Sequence, residues 1–125
     1  MSVTKISTEK APCAIGPYSQ GMIFNGMVFT SGQIALDPVT GEVVGDDITT
    51  QSEQVMKNLE AVLTEANSSF DKTIKTTCFL SDMEYFASFN EVYAKYFTNK
   101  PARSCVAVKT LPRNVLVEVE CIAYQ

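Results

Sequence analysis

The stretch Gly21-Met22-Ile23-Phe24-Asn25-Gly26-Met27-Val28-Phe29-Thr30 sets an Asn-Gly pair between two apolar runs. The two central residues of a tight hairpin turn take positive φ, which Asn and Gly tolerate best, so the segment predicts a β-hairpin. Its second strand runs into Ser31-Gly32-Gln33, and a turn is expected around Asp37-Pro38 and Thr40-Gly41. Beyond it, residues 47–67 read as a helix, because Val55, Leu59, Val62 and Ala66 follow helical spacing. Thr50 and Glu53 have the spacing of a capping box. Residues 72–80, rich in Thr and β-branched side chains, read as a strand. Ser81 or Asp82 then caps a second helix reaching about residue 97, with Phe86, Phe89, Tyr93, Tyr96 and Phe97 as its stripe. Strands are expected over 104–109 and 115–124, with Leu111-Pro112-Arg113-Asn114 joining them as a hairpin loop.

The order is ββαβαββ, with room for one more strand at the extreme N-terminus. No linker, repeat or low-complexity tract divides the 125 residues, so residues 1–125 are expected to form a single α+β domain. Two helices can cover only one face of its mixed sheet. In the last strand Val115, Val117, Val119, Cys121 and Ala123 share one face. Leu116, Glu118, Glu120, Ile122 and Tyr124 share the other. Both faces are partly apolar, so the helix-free side is expected to pack against another subunit.

Hydrophobic residues make up 46% of the chain, enough for a core, but no run approaches the length of a membrane span. The N-terminal residues lack the apolar segment of a secretory signal. Ten basic residues against fourteen acidic ones give a net charge of −4, and no basic cluster of the nucleic-acid-binding kind is present. Cys13, Cys78, Cys105 and Cys121 show no metal-ligand spacing, so reduced thiols in a cytoplasmic protein are expected, with no metal. The chain contains no histidine. Proton transfer must therefore use carboxylate, Tyr, Cys, Lys, backbone or water, and histidine-based triads and the common histidine-dependent ribonuclease mechanism are excluded.

Several positions admit both a chemical and a plain reading. Arg103, after Pro101-Ala102 at the mouth of a strand, can hold a carboxylate through two parallel hydrogen bonds or can sit in a surface ion pair. Glu118 and Glu120 share a face of an apolar strand. They are either cleft acids that orient water or residues of a wet strand edge. Asn90 falls inside the apolar stripe and needs a partner, most simply a neighbouring loop's backbone. Cys105 shares Arg103's face, where a cation would favour the thiolate, unless the thiol is a small buried hydrophobe. Tyr18, in the turn-rich loop Ile15-Gly16-Pro17-Tyr18-Ser19-Gln20, lines a pocket or anchors the loop. Ser31-Gly32 is a strand-end turn or a place where a ligand meets bare backbone.

Read in order, these segments resemble one family. Ala14-Ile15-Gly16-Pro17-Tyr18-Ser19-Gln20, Thr30-Ser31-Gly32-Gln33, Lys75-Thr76-Thr77, Asn90-Glu91-Val92-Tyr93, Pro101-Ala102-Arg103-Ser104-Cys105 and Val117-Glu118-Val119-Glu120-Cys121-Ile122-Ala123 are similar to the ordered signatures of the RidA (YjgF) deaminases, from about residue 6 to residue 124. The resemblance implies a chorismate-mutase-like subunit in a homotrimer, with helices outward and three clefts between subunits. It implies hydrolysis of reactive 2-imino acids, such as 2-iminobutanoate and 2-iminopropanoate, to 2-oxo acids and ammonia, with no cofactor. Arg103 matches the arginine that holds the substrate carboxylate, and Glu118 the glutamate that assists water. Tyr18, Ser31, Gly32, Asn90 and Cys105 match other cleft positions. One departure stands out: many members have an aromatic residue immediately before Pro-Ala-Arg, where this chain has Lys100. Two other functions remain open: a non-catalytic trimer that senses small 2-oxo acids or other carboxylates, and an endoribonuclease or translation inhibitor.

Overall fold

The computed structural model describes residues 2–125. The hairpin forms as β2 (Gly21–Phe24) and β3 (Met27–Thr30), closed by Asn25 and Gly26 at φ 54° and 77°. A short β1 (Thr4–Ile6) pairs antiparallel with β2 and is the additional N-terminal strand. Next come α1 (Ile48–Glu65), β4 (Thr73–Leu80), α2 (Phe86–Tyr96), β5 (Ala102–Ala107) and β6 (Val117–Tyr124). The six strands lie in the order β1-β2-β3-β6-β4-β5. Only β4 and β5 run parallel, and α2 is the crossover that a parallel pair requires.

Two local expectations are corrected. The segment 111–114 does not close a hairpin, because β6 pairs with β3 and β4 while β5 lies beyond β4 at the sheet edge. The connection must step across one strand. It does so through a 3₁₀ turn at Pro112–Asn114, with Arg113 and Asn114 left-handed at φ 59° and 54°. The capping box at Thr50 and Glu53 does not form either. Asp47 caps α1 by accepting from the Thr50 N–H, which lowers its carboxyl pKa. Glu53 instead binds Lys95 and the Tyr96 hydroxyl, tying α1 to α2. Asp82 caps a single 3₁₀ turn, Met83–Tyr85, which leads straight into α2.

Both helices pack on one sheet face. Val55, Leu59, Val62 and Leu63 of α1 and Phe89, Val92 and Tyr93 of α2 are buried against Val28, Cys78, Leu80, Val117, Val119 and Cys121. Each fully buried aliphatic side chain contributes about 1.5–3 kcal/mol of burial free energy. The alternation read for β6 holds: Val117, Val119, Cys121 and Ala123 are buried, whereas Glu118, Glu120 and Ile122 are half-buried and Tyr124 is exposed. Phe29 and Val106 are also exposed, at 42% and 47%. Phe29 lies opposite Ile122 in the register, so apolar groups gather on the helix-free face. No helix among the described residues is long and apolar enough to cross a membrane.

Candidate functional site

The sheet sorts the candidate residues into two groups. Arg103 lies on the helix side. Its guanidinium carbon sits 4.8 Å from the centre of the Tyr93 ring and 5.5 Å from that of Phe86, and one Nη1–H donates to Asn90 Oδ1 at 2.8 Å. These are cation–π distances, and the hydrogen bond fixes the plane of the fork. Tyr93 is itself locked by a 2.6 Å hydrogen bond between its hydroxyl and Thr76 Oγ1. Among the described residues the only ion pair is Lys95–Glu53, so Arg103 has no carboxylate partner. The surface ion pair considered for Arg103 is therefore absent. Asn90, expected to tie down a loop backbone, holds the arginine instead. A cavity of about 280 Å³ opens here, lined by Asn90, Tyr93, Phe97, Lys100, Pro101 and Arg103.

Cys105 follows Arg103 on the same face and stands beside Cys78 in the parallel register. Burial pushes its thiol pKa up and Arg103 only partly opposes this, so the thiolate reading gives way to a protonated thiol. Cys78 behind it is pushed up to about 12, mainly by burial.

Glu118 occupies the other face. Opposite it, β3 continues into a bulge. Phe29 faces Ile122, but four residues on Gln33 faces Val119, so one extra residue is inserted around Ser31-Gly32. The bulge places Gly32 directly beneath the Glu118 carboxylate. A Cβ at Gly32 would lie 2.2 Å from Glu118 Oε2, so only glycine leaves room for the carboxylate in this position. Beside it, Ser31 donates through its hydroxyl to Ser19 O at 2.5 Å, tying the bulge to the Tyr18 loop. Tyr18 comes from the same loop and is 53% exposed at the mouth. The cavity of about 240 Å³ is otherwise largely apolar, with Ile15, Ile34, Leu36 and Pro112 in its walls. Burial, and secondarily the Glu120 charge, raise the Glu118 pKa. That shift moves a carboxylate toward neutrality, where a general base works best.

Within one chain, Tyr18, Ser31, Gly32 and Glu118 come together, and Asn90, Arg103 and Cys105 come together, but the two groups face away from each other. Sequence reading missed Arg113, which lines the Glu118 cavity and donates to Gly41 O at 3.2 Å. Its neighbour Asn114 was the only available signal of a left-handed turn. Phe86 and Tyr93 read as core stripe and serve also as the platform for Arg103. Among the described residues no group of three or more His, Cys, Asp or Glu side chains is arranged to hold a metal ion.

The family model described as endoribonuclease L-PSP matches residues 8–125. A protein of Lactococcus lactis, named as a candidate regulator, AldR, is 59% identical over 94% of each chain. The chloroplastic Reactive Intermediate Deaminase A of Arabidopsis thaliana is 46% identical over 94% of this chain and 64% of its own. The crystal structure of the Escherichia coli YjgF gene product superposes with a TM-score of 0.92, at 42% identity over 98% of both chains. Two helices on one face of a mixed six-stranded sheet is thus the chorismate-mutase-like architecture of YjgF-type proteins. The chain belongs to the RidA (YjgF) family.

Proposed function

We propose that the protein hydrolyses reactive 2-imino acids to 2-oxo acids and ammonia, at clefts formed between copies of the chain in a homotrimer. The observation that carries this reading is Arg103: a guanidinium within cation–π distance of two rings, held by Asn90 and without a carboxylate partner among the described residues. It is a pre-formed receptor for a small carboxylate, contributing about 1.5–3 kcal/mol per charge-assisted hydrogen bond. Glu118 supplies what Arg103 lacks, a half-buried carboxylate with raised pKa beside bare backbone. The two lie on opposite faces of one sheet, so a second copy must bring its Arg103 group to the first copy's Glu118 group. The apolar helix-free face, with Phe29, Ile122 and Val106, gives those copies a surface to bury.

In the reaction, Arg103 holds the substrate carboxylate and so fixes the imine carbon. Glu118 positions a water and accepts its proton as the oxygen attacks that carbon. Glu118 returns that proton to the nitrogen of the resulting amino alcohol, and as the hydroxyl proton then passes to the freed Glu118 carboxylate the C–N bond breaks, releasing ammonia and the 2-oxo acid. Proximity and orientation supply much of the acceleration. The named deaminase relative supports this chemistry.

A second reading, a carboxylate sensor without turnover, draws on the relative named as a candidate regulator. RNA cleavage, suggested by the family model's description, fits poorly with a −4 chain lacking histidine. Generating 2-iminobutanoate or 2-iminopropanoate in situ, with semicarbazide as a competing trap, tests the proposal. Faster formation of 2-oxo acid with protein supports the deaminase. An unchanged partition beside measurable 2-oxobutanoate binding leaves the sensor.

A further inference from the structure

Within one chain, the cavity around Arg103 gathers two cations, one more than a single substrate carboxylate engages. Lys100 and Arg103 both line it, and among the described residues of the same chain no acidic one does, although the chain as a whole carries −4. Lys100 is not an ordinary surface lysine. Its backbone is left-handed at φ 53°, a strained state for a non-glycine residue, and it is followed directly by Pro101. The surroundings over-determine that state. The Lys100 N–H donates to Phe97 O at 3.2 Å, and the Asn99 side-chain amide donates to Asp71 O and Thr73 O at 3.1 and 3.0 Å. The base of the lysine side chain is thus pinned at the cavity wall, and strain maintained this way concentrates at ligand sites. Lys100 has no carboxylate partner among the described residues.

We propose that Lys100 forms a subsite for a second negative charge, so that the preferred substrates are 2-imino acids carrying a further carboxylate. The inference rests on Arg103 being the holder of the first carboxylate. One end of a dicarboxylate meets the planar fork of Arg103. The other meets the ammonium of Lys100, a point charge that accepts a range of approach directions.

Calorimetry with 2-oxoglutarate and 2-oxobutanoate tests the subsite without requiring turnover. Competition assays with 2-iminoglutarate and 2-iminobutanoate, each generated by an amino-acid oxidase, test it during turnover. Wild-type protein is expected to bind 2-oxoglutarate more tightly than 2-oxobutanoate. Lys100→Gln is expected to cut the dicarboxylate-to-monocarboxylate ratio about tenfold in both measurements, Lys100→Glu further, with Lys100→Arg restoring most of it. Equal binding of the two oxo acids by wild type, or a ratio unmoved in Lys100→Gln, overturns the proposal. Charge-selective binding without turnover of either imine upholds the subsite and removes the deaminase reading. Turnover of 2-iminobutanoate with no preference for the diacid does the reverse.

Discussion

The two cavities are organised in opposite ways. Around Arg103 the side chains are pre-organised: rings below the guanidinium, an amide at its edge, and cations with no counter-charge. Around Glu118 the organisation lies in the backbone, where a strand bulge and a missing Cβ make room for one carboxylate among apolar walls. The first can bind an anion and has no base. The second has a half-buried carboxylate and, apart from Arg113, no cation in its lining. Each is chemically incomplete, and that complementarity is what a site shared between subunits requires.

If the division of labour is real, the two halves must fail differently. Glu118→Gln keeps the shape but removes the base, so turnover is expected to fall roughly 10²–10⁴-fold while 2-oxobutanoate binding, read by calorimetry, persists. Arg103→Lys keeps the charge and loses the fork. A rise in KM and a fall in kcat, together about 10²-fold in kcat/KM, is expected from steady-state assays. Asn90→Ala leaves the guanidinium on its rings but frees its edge, and a loss of about tenfold, mostly in KM, is the expected outcome. Equal loss of binding in all three variants would erase the distinction between the cavities.

The raised Glu118 pKa sharpens the comparison through pH. In wild type, kcat/KM should fall as pH drops through that pKa, because the protonated acid cannot accept a proton; this limb should vanish in Glu118→Gln. Stability moves the other way. The folded chain holds the Glu118 proton more tightly than the unfolded chain, so ionisation costs stability as pH rises through the raised pKa. Glu118→Gln is therefore expected to melt slightly higher than wild type at about pH 8, with the difference closing by about pH 4. Thermal melts at the two pH values check it.

The fold was legible where local chemistry decides it. Asn25-Gly26 can only turn, and the alternation in 117–124 survives as buried and half-buried faces. It was not legible where long-range pairing decides. Nothing in 111–114 tells whether the chain returns to β5 or passes over β4. Glu53 likewise had a local partner at Thr50 and took distant ones, Lys95 and Tyr96, across the helix pair. Of the candidate site, Glu118 was legible as an acid within an apolar strand and Arg103 as a cation at the mouth of another. Their separation onto opposite faces was not, because they come from strands that sequence reading took to be adjacent. Arg113 escaped because left-handed backbone at an arginine leaves no mark in composition.

The proposed shared site has one direct test. Arg103→Ala and Glu118→Gln chains, each inactive alone, are mixed under conditions that let subunits exchange, and assayed for imine hydrolysis once native mass spectrometry shows mixed trimers. If each cleft takes Arg103 from one copy and Glu118 from the next, every mixed trimer regains one intact cleft. Random 1:1 mixing then restores about a quarter of wild-type activity. Mixed trimers that form and stay inactive would contradict the composite site.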